Sequence, residues 1–554
     1  MSGITGFLAN LNRLGFRFWI ENETLKFSVP KGILDHTLKA QLRARKAEII
    51  AFLKDHQRSN VPVPPLQKTR HEGPYPLSFA QQRLWFLYQL EPHSAVYNLP
   101  TAIRILGRIE VPILERAINR LAARHDVLRT RFFEEDGHPF QVPRETLAIT
   151  LAQESMADLT KDEAEAKVRQ RIVDEGRLPF NLCEEPLIRF LLFKLEAEAH
   201  ILFLNVHHII SDFWSIKLFF QELGDAYQAL AIGGGMEIPE PEFQFRDFVH
   251  WQKTWLATEK LEELRRFWVQ TLSGAPFYLE LPYDLPRPSQ QSIRGRRVPV
   301  QIHQPTTSLL NDLAHRSKAS LFMVTLAMFQ ILLRWFSGKN DLVIGSDVAN
   351  RNHDGMQRLQ GFFVNQLVLR AQMNDQHSFE TYLDLVRRHT LAAHQHQDFP
   401  FDGLVEALNP PRGNFSPIFQ TKFIFQNVPP QPFNDRTGLQ FEVFEPQRGT
   451  AQVDLLLVLS QSQQGLEGSL EYCTDLFLER TALRLAAHYQ SLAAEISKDP
   501  GLTLGALTGL LNEADKSLRK QQRPKFRKPG FKDKPLKSRF SAEKKPHPIT
   551  VTQT

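Results

Sequence analysis

The most constraining feature of this 554-residue chain is a long apolar run that ends on two histidines. Residues 200–210 are rich in β-branched side chains and have the length of a buried strand. Ser211 and Asp212 follow, and both residue types accept hydrogen bonds from the free N–H groups at the start of a helix. The sequence therefore predicts a strand that turns directly into a helix, with His207 and His208 at its end.

This strand-helix corner favours acyl-transfer chemistry. A neutral imidazole at the end of a rigid strand can accept or position a proton on an attacking amine. The helix start carries a partial positive charge, which stabilises a developing anion. The same residues also fit a buried histidine pair beside an ordinary helix cap, and the corner alone leaves that alternative open.

The charge of the chain is unevenly distributed. Residues 516–545 hold 13 Lys or Arg and two acidic residues, so they carry +11, whereas the formal charge of the whole chain is +6. The rest of the chain therefore carries −5, which argues against a nucleic-acid-binding face on the folded body. Apolar residues make up 42% of the sequence, enough to build sizeable cores.

Metal binding and membrane insertion are both disfavoured. Cys183 and Cys473 are far apart and form no CxxC pair, which excludes a disulfide framework and a thiolate metal site. His389, His394 and His396 lack the i, i+4 spacing of a helical zinc site, so we predict no metal. No segment approaches the roughly 20 apolar residues of a membrane span, and the amino terminus lacks a signal pattern. We expect a cytoplasmic protein.

The chain divides into segments of different pattern. Residues 1–56 predict a helix, a hairpin that turns at 21–23, and a second helix. That second helix is predicted to bury four residues, namely Leu38, Leu42, Ile49 and Leu53. Residues 57–74 are proline-rich and without period, which predicts an extended linker. Residues 511–554 are basic and poor in apolar side chains, which predicts a disordered tail.

The histidine corner is one of seven short motifs that follow one another between residues 75 and 510. In chain order they read YPLSFAQQRLW, RHDVLRTRF, HHIISD, FRDFVHWQ, IGSDVANR, GFFVNQLVLR and HQDFPFDGL. These segments are similar to the successive signatures of condensation domains of nonribosomal peptide synthetases, and their order is more specific than any one of them. The front unit, 1–56, resembles the tubulysin-type docking domains found at the amino terminus of synthetase subunits.

The resemblance implies an α/β fold related to chloramphenicol acetyltransferase. Condensation domains are V-shaped pseudodimers of two such α+β two-layer lobes, with a tunnel between them. Here the lobes would be 75–240 and 241–510, behind a small αββα docking domain at 1–56. A docking domain of this kind captures the carboxy-terminal segment of an upstream subunit by strand addition. An ordinary αββα cap packed on the main body is the alternative.

The resemblance also implies a reaction. A condensation domain joins a donor acyl thioester to an acceptor amine, each delivered on the 4'-phosphopantetheine arm of a carrier protein, and binds no cofactor of its own. The expected partners are the donor and acceptor carrier proteins and an upstream subunit, with no nucleic acid and no membrane. Two alternatives stay open: a coenzyme A-dependent acyltransferase acting on a small free acceptor, and a noncatalytic condensation-like platform that recruits other proteins.

Carried over to this sequence, the resemblance implies that His208 is the catalytic histidine and His207 its structurally important neighbour. Asp212 is then a structural carboxylate, and Arg351 is its expected partner. Arg83 is a further expected support of the site. The residues expected to line the substrate channel are Ser211, Phe213, Trp214, Asn365 and Gln366.

Phe213 departs from the family pattern. Condensation domains usually have glycine directly after the motif aspartate, whereas this chain has phenylalanine. The change adds bulk and removes the freedom of glycine to adopt positive φ. We therefore expect Phe213 to alter the width of the channel and the choice of donor or acceptor.

Overall fold

Two large β-sheets organise the residues that the computed structural model describes. These are 17–21, 24–28, 38, 42, 45, 46, 48, 49, 63–69, 73–184, 186–232, 240–426, 439–444 and 449–522. Each sheet is flanked by helices and lies in its own half of the body. The predicted α/β architecture of two lobes is confirmed.

The front unit contains the predicted hairpin. Strands β1 (Arg17–Glu21) and β2 (Thr24–Ser28) pair antiparallel, with Glu21 opposite Thr24. In the segment that follows, Leu42 and Ile49 are helical and buried, as predicted for the second helix. The predicted first helix and Leu53 lie outside the described residues.

The segment 63–69 has no helix or strand, in line with an extended linker, but it lies against the main body. Leu66 is buried, and the carbonyl of Pro64 accepts a hydrogen bond from the Trp251 indole N–H at 2.6 Å. The Asp247 carboxylate accepts hydrogen bonds from the N–H and hydroxyl of Thr69, both at 2.8 Å. These contacts hold the described part of the linker in one place.

The first lobe is built on a five-stranded sheet in the order β14-β4-β9-β8-β7, with β14 being Gln440–Phe444. Its other elements, in chain order, are β3 (Tyr75–Pro76), α1 (Phe79–Leu90), β4 (Asn98–Leu106), α2 (Val111–Arg124), β5 (Thr130–Glu135), β6 (His138–Pro143), β7 (Ala152–Ser155), α3 (Lys161–Gly176), β8 (Ile188–Glu196), β9 (Ala199–His207) and α4 (Phe213–Ala231). Strands β3, β6 and β5 form a separate small sheet.

Strand β9 is the centre of this lobe. It pairs antiparallel with β4 on one side and β8 on the other, and every residue after Ala199 is buried. A strand covered on both faces needs apolar side chains at successive positions, which explains the continuous apolar run in the sequence. One face of the sheet belongs to the main core, and the other packs on α3 in a second, smaller core.

The second lobe is built on a six-stranded sheet in the order β10-β16-β15-β13-β11-β12. Its elements are α5 (Phe245–Leu256), α6 (Glu259–Thr271), β10 (Gly295–His303), α7 (Gln304–Arg316), α8 (Leu321–Ser337), β11 (Asp341–Val348), β12 (Asn365–Gln372), α9 (Phe379–Gln395), α10 (Phe401–Leu408), β13 (Thr421–Gln426), β15 (Leu455–Ser462), β16 (Gly465–Cys473), α11 (Glu479–Lys498) and α12 (Leu504–Gln522).

Within the described ranges, no single helix is long and apolar enough to cross a bilayer. Helices α7 and α8 meet the length and hydropathy criteria only when taken together, and they are bent by 106° at their break.

Strand β14 departs from the predicted division at residue 240. It comes from the second half of the chain but pairs antiparallel with β4, at the edge of the first sheet. An uncovered edge would expose unpaired backbone groups, and β14 satisfies them. Phe444 also packs in the smaller core against Ala102 and Phe203.

Helix α12 departs from the predicted tail. It runs to Gln522, so residues 511–522 are helical instead of disordered. Leu511 is buried in the main core, and the buried Asp515 pairs with His488 at 3.2 Å and Arg484 at 3.4 Å on α11. The helix was not predicted because the segment is mainly basic and only a few of its residues face inward.

Candidate active site

The strand-helix corner forms as predicted, with a tight turn between its two parts. Strand β9 ends at His207, and residues His208–Ile210 form a 3₁₀ turn before Asp212 caps α4. The backbone N–H of His208 donates to the carbonyl of Tyr97 at 2.8 Å. The strand predicted for residues 200–210 is therefore three residues too long, because the apolar residues continue into a buried turn.

The backbone fixes the tautomer of His208. Its Nδ1 lies 2.7 Å from the carbonyl oxygen of Ser211, and a carbonyl can only accept, so Nδ1 carries the proton and Nε2 keeps a lone pair. Burial lowers the pKa of His208 below 6.5, although the Ser211 carbonyl and the charges of Asp212 and Asp347 act in the opposite direction. The imidazole is therefore neutral at pH 7, and its ring lies 4.6 Å from that of Phe362.

Ser211 reaches the site through its backbone. Its side chain is buried, and its hydroxyl donates to the carbonyl of Asp212 at 3.4 Å. The residue was predicted to line the channel, but what it supplies to the histidine is the carbonyl oxygen.

His207 is buried behind the corner. Its Nδ1 accepts the backbone N–H of Ile209 at 3.2 Å, and its ring meets Phe180 edge to face. Burial, with a smaller contribution from the charge of His208, lowers the pKa of His207 to about 3. His207 is therefore neutral and stabilises the turn.

The predicted pairing of Asp212 with Arg351 is confirmed. Asp212 is fully buried and accepts hydrogen bonds from the N–H groups of Ser215 at 2.7 Å and Phe363 at 3.1 Å. One Arg351 nitrogen lies 3.2 and 3.3 Å from its two oxygens. The carboxylate thus connects the start of α4 to two points of the segment between β11 and β12 in the second lobe.

Arg351 has several partners besides Asp212. It donates to the carbonyls of Met356 at 2.8 Å and Leu359 at 2.6 Å, and its guanidinium lies 3.9 Å from the centre of the Phe363 ring. Burial lowers the pKa of Arg351, while Asp212 opposes that effect. An arginine keeps its proton under such conditions, so the pair is a buried ion pair between the lobes.

Ser215 is a central residue that the sequence analysis missed. Its hydroxyl accepts from Arg351 at 2.7 Å and from the N–H of Gly361 at 3.0 Å, and it donates to the carbonyl of Gly361 at 2.8 Å. Gly361 has φ +151, and a Cβ there would lie 2.1 Å from the Phe245 ring, so no other residue fits. The available signal was a serine three residues after Asp212, one turn along the predicted helix.

The opening segment SFAQ supports the corner from the other side. Ser78 and Gln81 form a capping box at the start of α1. The Gln81 amide also donates to the carbonyl of Ile209 and to the side chain of Gln141, both at 3.0 Å. The segment therefore fixes the carbonyl next to His208, a role that its sequence alone did not reveal.

Arg83 connects the two lobes. It lies on α1 and donates to the side-chain oxygen of Gln366 at 2.7 Å. It also lies 3.8 Å from Asp402 and packs over the ring of Phe401. These contacts place both Arg83 and Gln366 at the boundary between the lobes.

The side-chain amide of Asn365 forms hydrogen bonds to backbone groups within the second lobe. Its nitrogen donates to the carbonyls of Gln397 and Phe399, both at 2.7 Å, and its oxygen accepts the N–H of Phe401 at 3.2 Å. These bonds leave little capacity for a substrate. Asn365 is better described as the residue that fixes the loop after α9.

Phe213 and Trp214 are exposed aromatic residues at the start of α4. Their exposed fractions are 48% and 38%, and the Trp214 indole N–H donates to the carbonyl of Gln357 at 2.9 Å. Phe213 is the first residue of the helix and does not have positive φ. The position therefore does not need the conformational freedom of glycine, and the departure from the family pattern adds a side chain without backbone strain.

His394 and His396 have packing roles. The His396 ring stacks on Phe267 with 3.6 Å between centroids, and His394 meets Phe322 edge to face. In the part of the chain that the structure describes, no three His, Cys, Asp or Glu side chains are grouped as metal ligands would be.

Comparisons with known proteins match most of the chain to two protein families. A model of the condensation domain matches residues 71–518, and a model of the TubC N-terminal docking domain matches 4–55. One of the linear gramicidin synthase proteins of Brevibacillus parabrevis is 35% identical over 474 residues, which cover 84% of this chain and 6% of that relative. The chain thus spans less than a tenth of the length of this synthase.

Two solved structures have the same fold. The X-domain from teicoplanin biosynthesis, in its complex with OxyB, has a TM-score of 0.72 at 25% identity, covering 80% of this chain and 98% of that one. The first condensation domain of the calcium-dependent antibiotic synthetase, in complex with a substrate analogue, has a TM-score of 0.66 at 21% identity, covering 78% and 98%. The site therefore lies in a fold that both structures share.

Proposed function

The chain belongs to the condensation-domain family of nonribosomal peptide synthetases, and from this premise we propose that it forms an amide bond between a carrier-bound acyl thioester and a carrier-bound amine. The observation that carries the proposal is the tautomer of His208. Its Nδ1–H is bound by the Ser211 carbonyl, so its Nε2 is available as a base. Such a base accelerates acyl transfer to an amine.

The reaction follows from this geometry. The amine attacks the thioester carbonyl, so a C–N bond forms and the C–S bond breaks. The proton of the amine passes to Nε2 of His208 and then to the departing thiolate, which leaves as the thiol. Holding both substrates in the cleft replaces a bimolecular encounter, and this proximity supplies much of the rate.

The other site residues keep His208 in position. His207 stabilises the turn, and Asp212, Arg351 and Ser215 join the helix after the turn to the second lobe. Arg83 and Gln366 form a second connection between the lobes, from α1 to β12. Residues 1–56 are the docking domain, 75–240 and 241–522 supply the two lobes, and β14 crosses to the first lobe.

The partners follow from the family. Donor and acceptor carrier proteins would bring their substrates on 4'-phosphopantetheine arms, and the chain itself would bind no cofactor. The hairpin β1–β2 offers a strand edge to a segment of an upstream synthetase subunit, through residues 1–56. That partner would be recognised mainly through backbone hydrogen bonds.

A reconstituted assay tests the function. We expect product when the chain is mixed with a donor carrier protein loaded with an acyl or aminoacyl thioester and an acceptor carrier protein loaded with an aminoacyl thioester. The product is measured by mass spectrometry of the acceptor carrier. Turnover of a coenzyme A thioester with a free amine, and none with carrier-bound substrates, would instead establish the acyltransferase alternative.

A noncatalytic platform is the second candidate, because the X-domain structure with a TM-score of 0.72 was solved in complex with OxyB. The histidine motif of this chain is intact, with a base-competent His208 and a fully bonded Asp212. This geometry favours catalysis. Stable binding of a partner enzyme without product from any loaded carrier pair would support the platform instead.

Phe213 offers a prediction about substrate choice. We expect Phe213→Gly to increase the rate with bulky side chains relative to small ones by about tenfold, because a few methylene groups in a pocket give discrimination of that size. The measurement compares single-turnover rates for carriers loaded with a small and a large amino acid. Leu309→Ala, which removes an apolar side chain that is 47% exposed on α7, is the matched control. An unchanged preference in Phe213→Gly would contradict the expectation.

A further inference from the structure

The sheet of the second lobe has one face toward its helices and one toward the first lobe. On β13, Phe423 packs against Phe322 and Phe329 of α8, with ring centroids 5.4 and 6.0 Å away. Successive side chains of a strand point to opposite faces. Lys422 therefore belongs to the face away from α8.

Two neighbouring strands place polar residues on that same face. Asp347 on β11 lies directly opposite Gln366 on β12, and Gly345, two residues before Asp347, lies opposite Lys422. Gln366 accepts its hydrogen bond from Arg83 of the first lobe. This face of the sheet is therefore the one that lies toward the first lobe and its His208.

Lys422 and Asp347 form an ion pair on this face. Lys422 is only 2% exposed, and its Nζ lies 2.7 and 2.9 Å from the two oxygens of Asp347. Among the described residues, Asp347 is the one hydrogen-bond partner of this ammonium group. A buried ion pair is weak as a source of stability, so its presence on this face of the sheet calls for another role.

Asp347 of this pair also lies on the strand that leads to Arg351, whose guanidinium binds Asp212 at the histidine corner. Burial dominates the pKa of His208 and lowers it, but the negative charge of Asp347 acts on the ring in the opposite direction. The Asp347 side chain keeps 24% of its surface exposed, whereas Lys422 behind it is enclosed. A substrate in the cleft can therefore reach the carboxylate.

We propose that Asp347, held by Lys422, accepts one N–H of the acceptor amine while Nε2 of His208 accepts the other. The inference rests on the proposed function and names the class of acceptor that the site takes. A neutral primary amine has two N–H groups and one lone pair, so two acceptors fix both hydrogens and leave the lone pair for the thioester carbonyl. A secondary amine has a single N–H and cannot make both bonds. The site therefore selects primary amines.

The experiment compares alanyl and N-methylalanyl acceptor carriers in single-turnover assays with the full chain. We expect Asp347→Ala to lower the alanyl rate by about 10- to 100-fold, the effect of losing one hydrogen bond to a charged group. The N-methylalanyl rate should fall by less than about threefold, since that amine does not use both acceptors. The ratio of the two rates is a readout that a purely structural defect would not change.

Two further variants keep the outcome interpretable. Asp347→Ala leaves Lys422 buried without its partner, so the double variant Asp347→Ala/Lys422→Met removes both charges and is expected to show the same fall in the rate ratio. Asp341→Ala is the matched control, because Asp341 lies on the same strand, paired with Arg370 at 2.7 Å, and should leave the ratio unchanged.

An equal fall of both rates, or no fall, in the double variant would overturn the inference. If the wild type forms no product with either amine, the proposed function is refuted instead. The two failures are therefore distinguishable.

Discussion

Replacing His208 by alanine is expected to lower the rate of amide formation by about 10²- to 10⁴-fold, the contribution of a positioned general base. The variant removes the one imidazole whose free nitrogen is set by the Ser211 carbonyl. It removes no partner of the ion pair between Asp212 and Arg351, so the fold should persist. Single-turnover product formation with loaded carriers measures the effect.

The control for this prediction is His303→Ala, which deletes an exposed imidazole at the end of β10, and it should react like the wild type.

The pH dependence of the rate gives a second check on His208. Because burial lowers the pKa of His208 below its usual value, protonation of the imidazole should lower the wild-type rate only at acidic pH, and His208→Ala should lack this part of the pH dependence. Equal rates for His208→Ala and wild type would refute the catalytic assignment.

Replacing Arg351 by alanine is expected to lower the free energy of unfolding by about 3–5 kcal/mol, because the change leaves Asp212 as an uncompensated buried charge. The variant also removes the donors to Met356, Leu359 and Ser215. Thermal or denaturant unfolding, followed by circular dichroism, measures the loss.

Arg265→Ala is the matched control for the Arg351 prediction. Arg265 pairs with Glu262 at 3.7 Å across an exposed helix surface, and such pairs contribute about 0–1 kcal/mol. The double variant Asp212→Asn/Arg351→Met removes both charges and should recover part of the stability, since neither charge is then left alone. An unfolding curve of Arg351→Ala that matches Arg265→Ala would show that the pair does not hold the lobes.

The sequence predicted the features that depend on local pattern. The apolar run predicted β9, and Asp212 after it predicted the start of α4, because strand burial and helix capping act within a few residues. Family motifs predicted Arg351 as the partner of Asp212, although the two are 139 residues apart. Local pattern and family motifs together therefore predicted one histidine, its corner and one distant partner.

The features that escaped prediction depend on contacts distant in the chain. The role of Gln81 requires Ile209, which is 128 residues away, and the role of Ser215 requires Gly361. The end of β9 at His207 was missed because a buried turn and a buried strand have the same apolar composition. The Lys422–Asp347 pair was missed because the two residues are 75 positions apart and no local pattern indicates that they meet.

Strand β14 limits how this protein can be recombined with its relatives. A chimera joined near residue 240 would combine a first sheet from one parent with an edge strand from the other, and Phe444 would meet a foreign core. Exchange of substrate specificity between synthetases therefore has to transfer residues 440–444 together with the first lobe, or move the whole body as one unit. The chain passes between its lobes three times, so the two halves are constrained to change together during evolution.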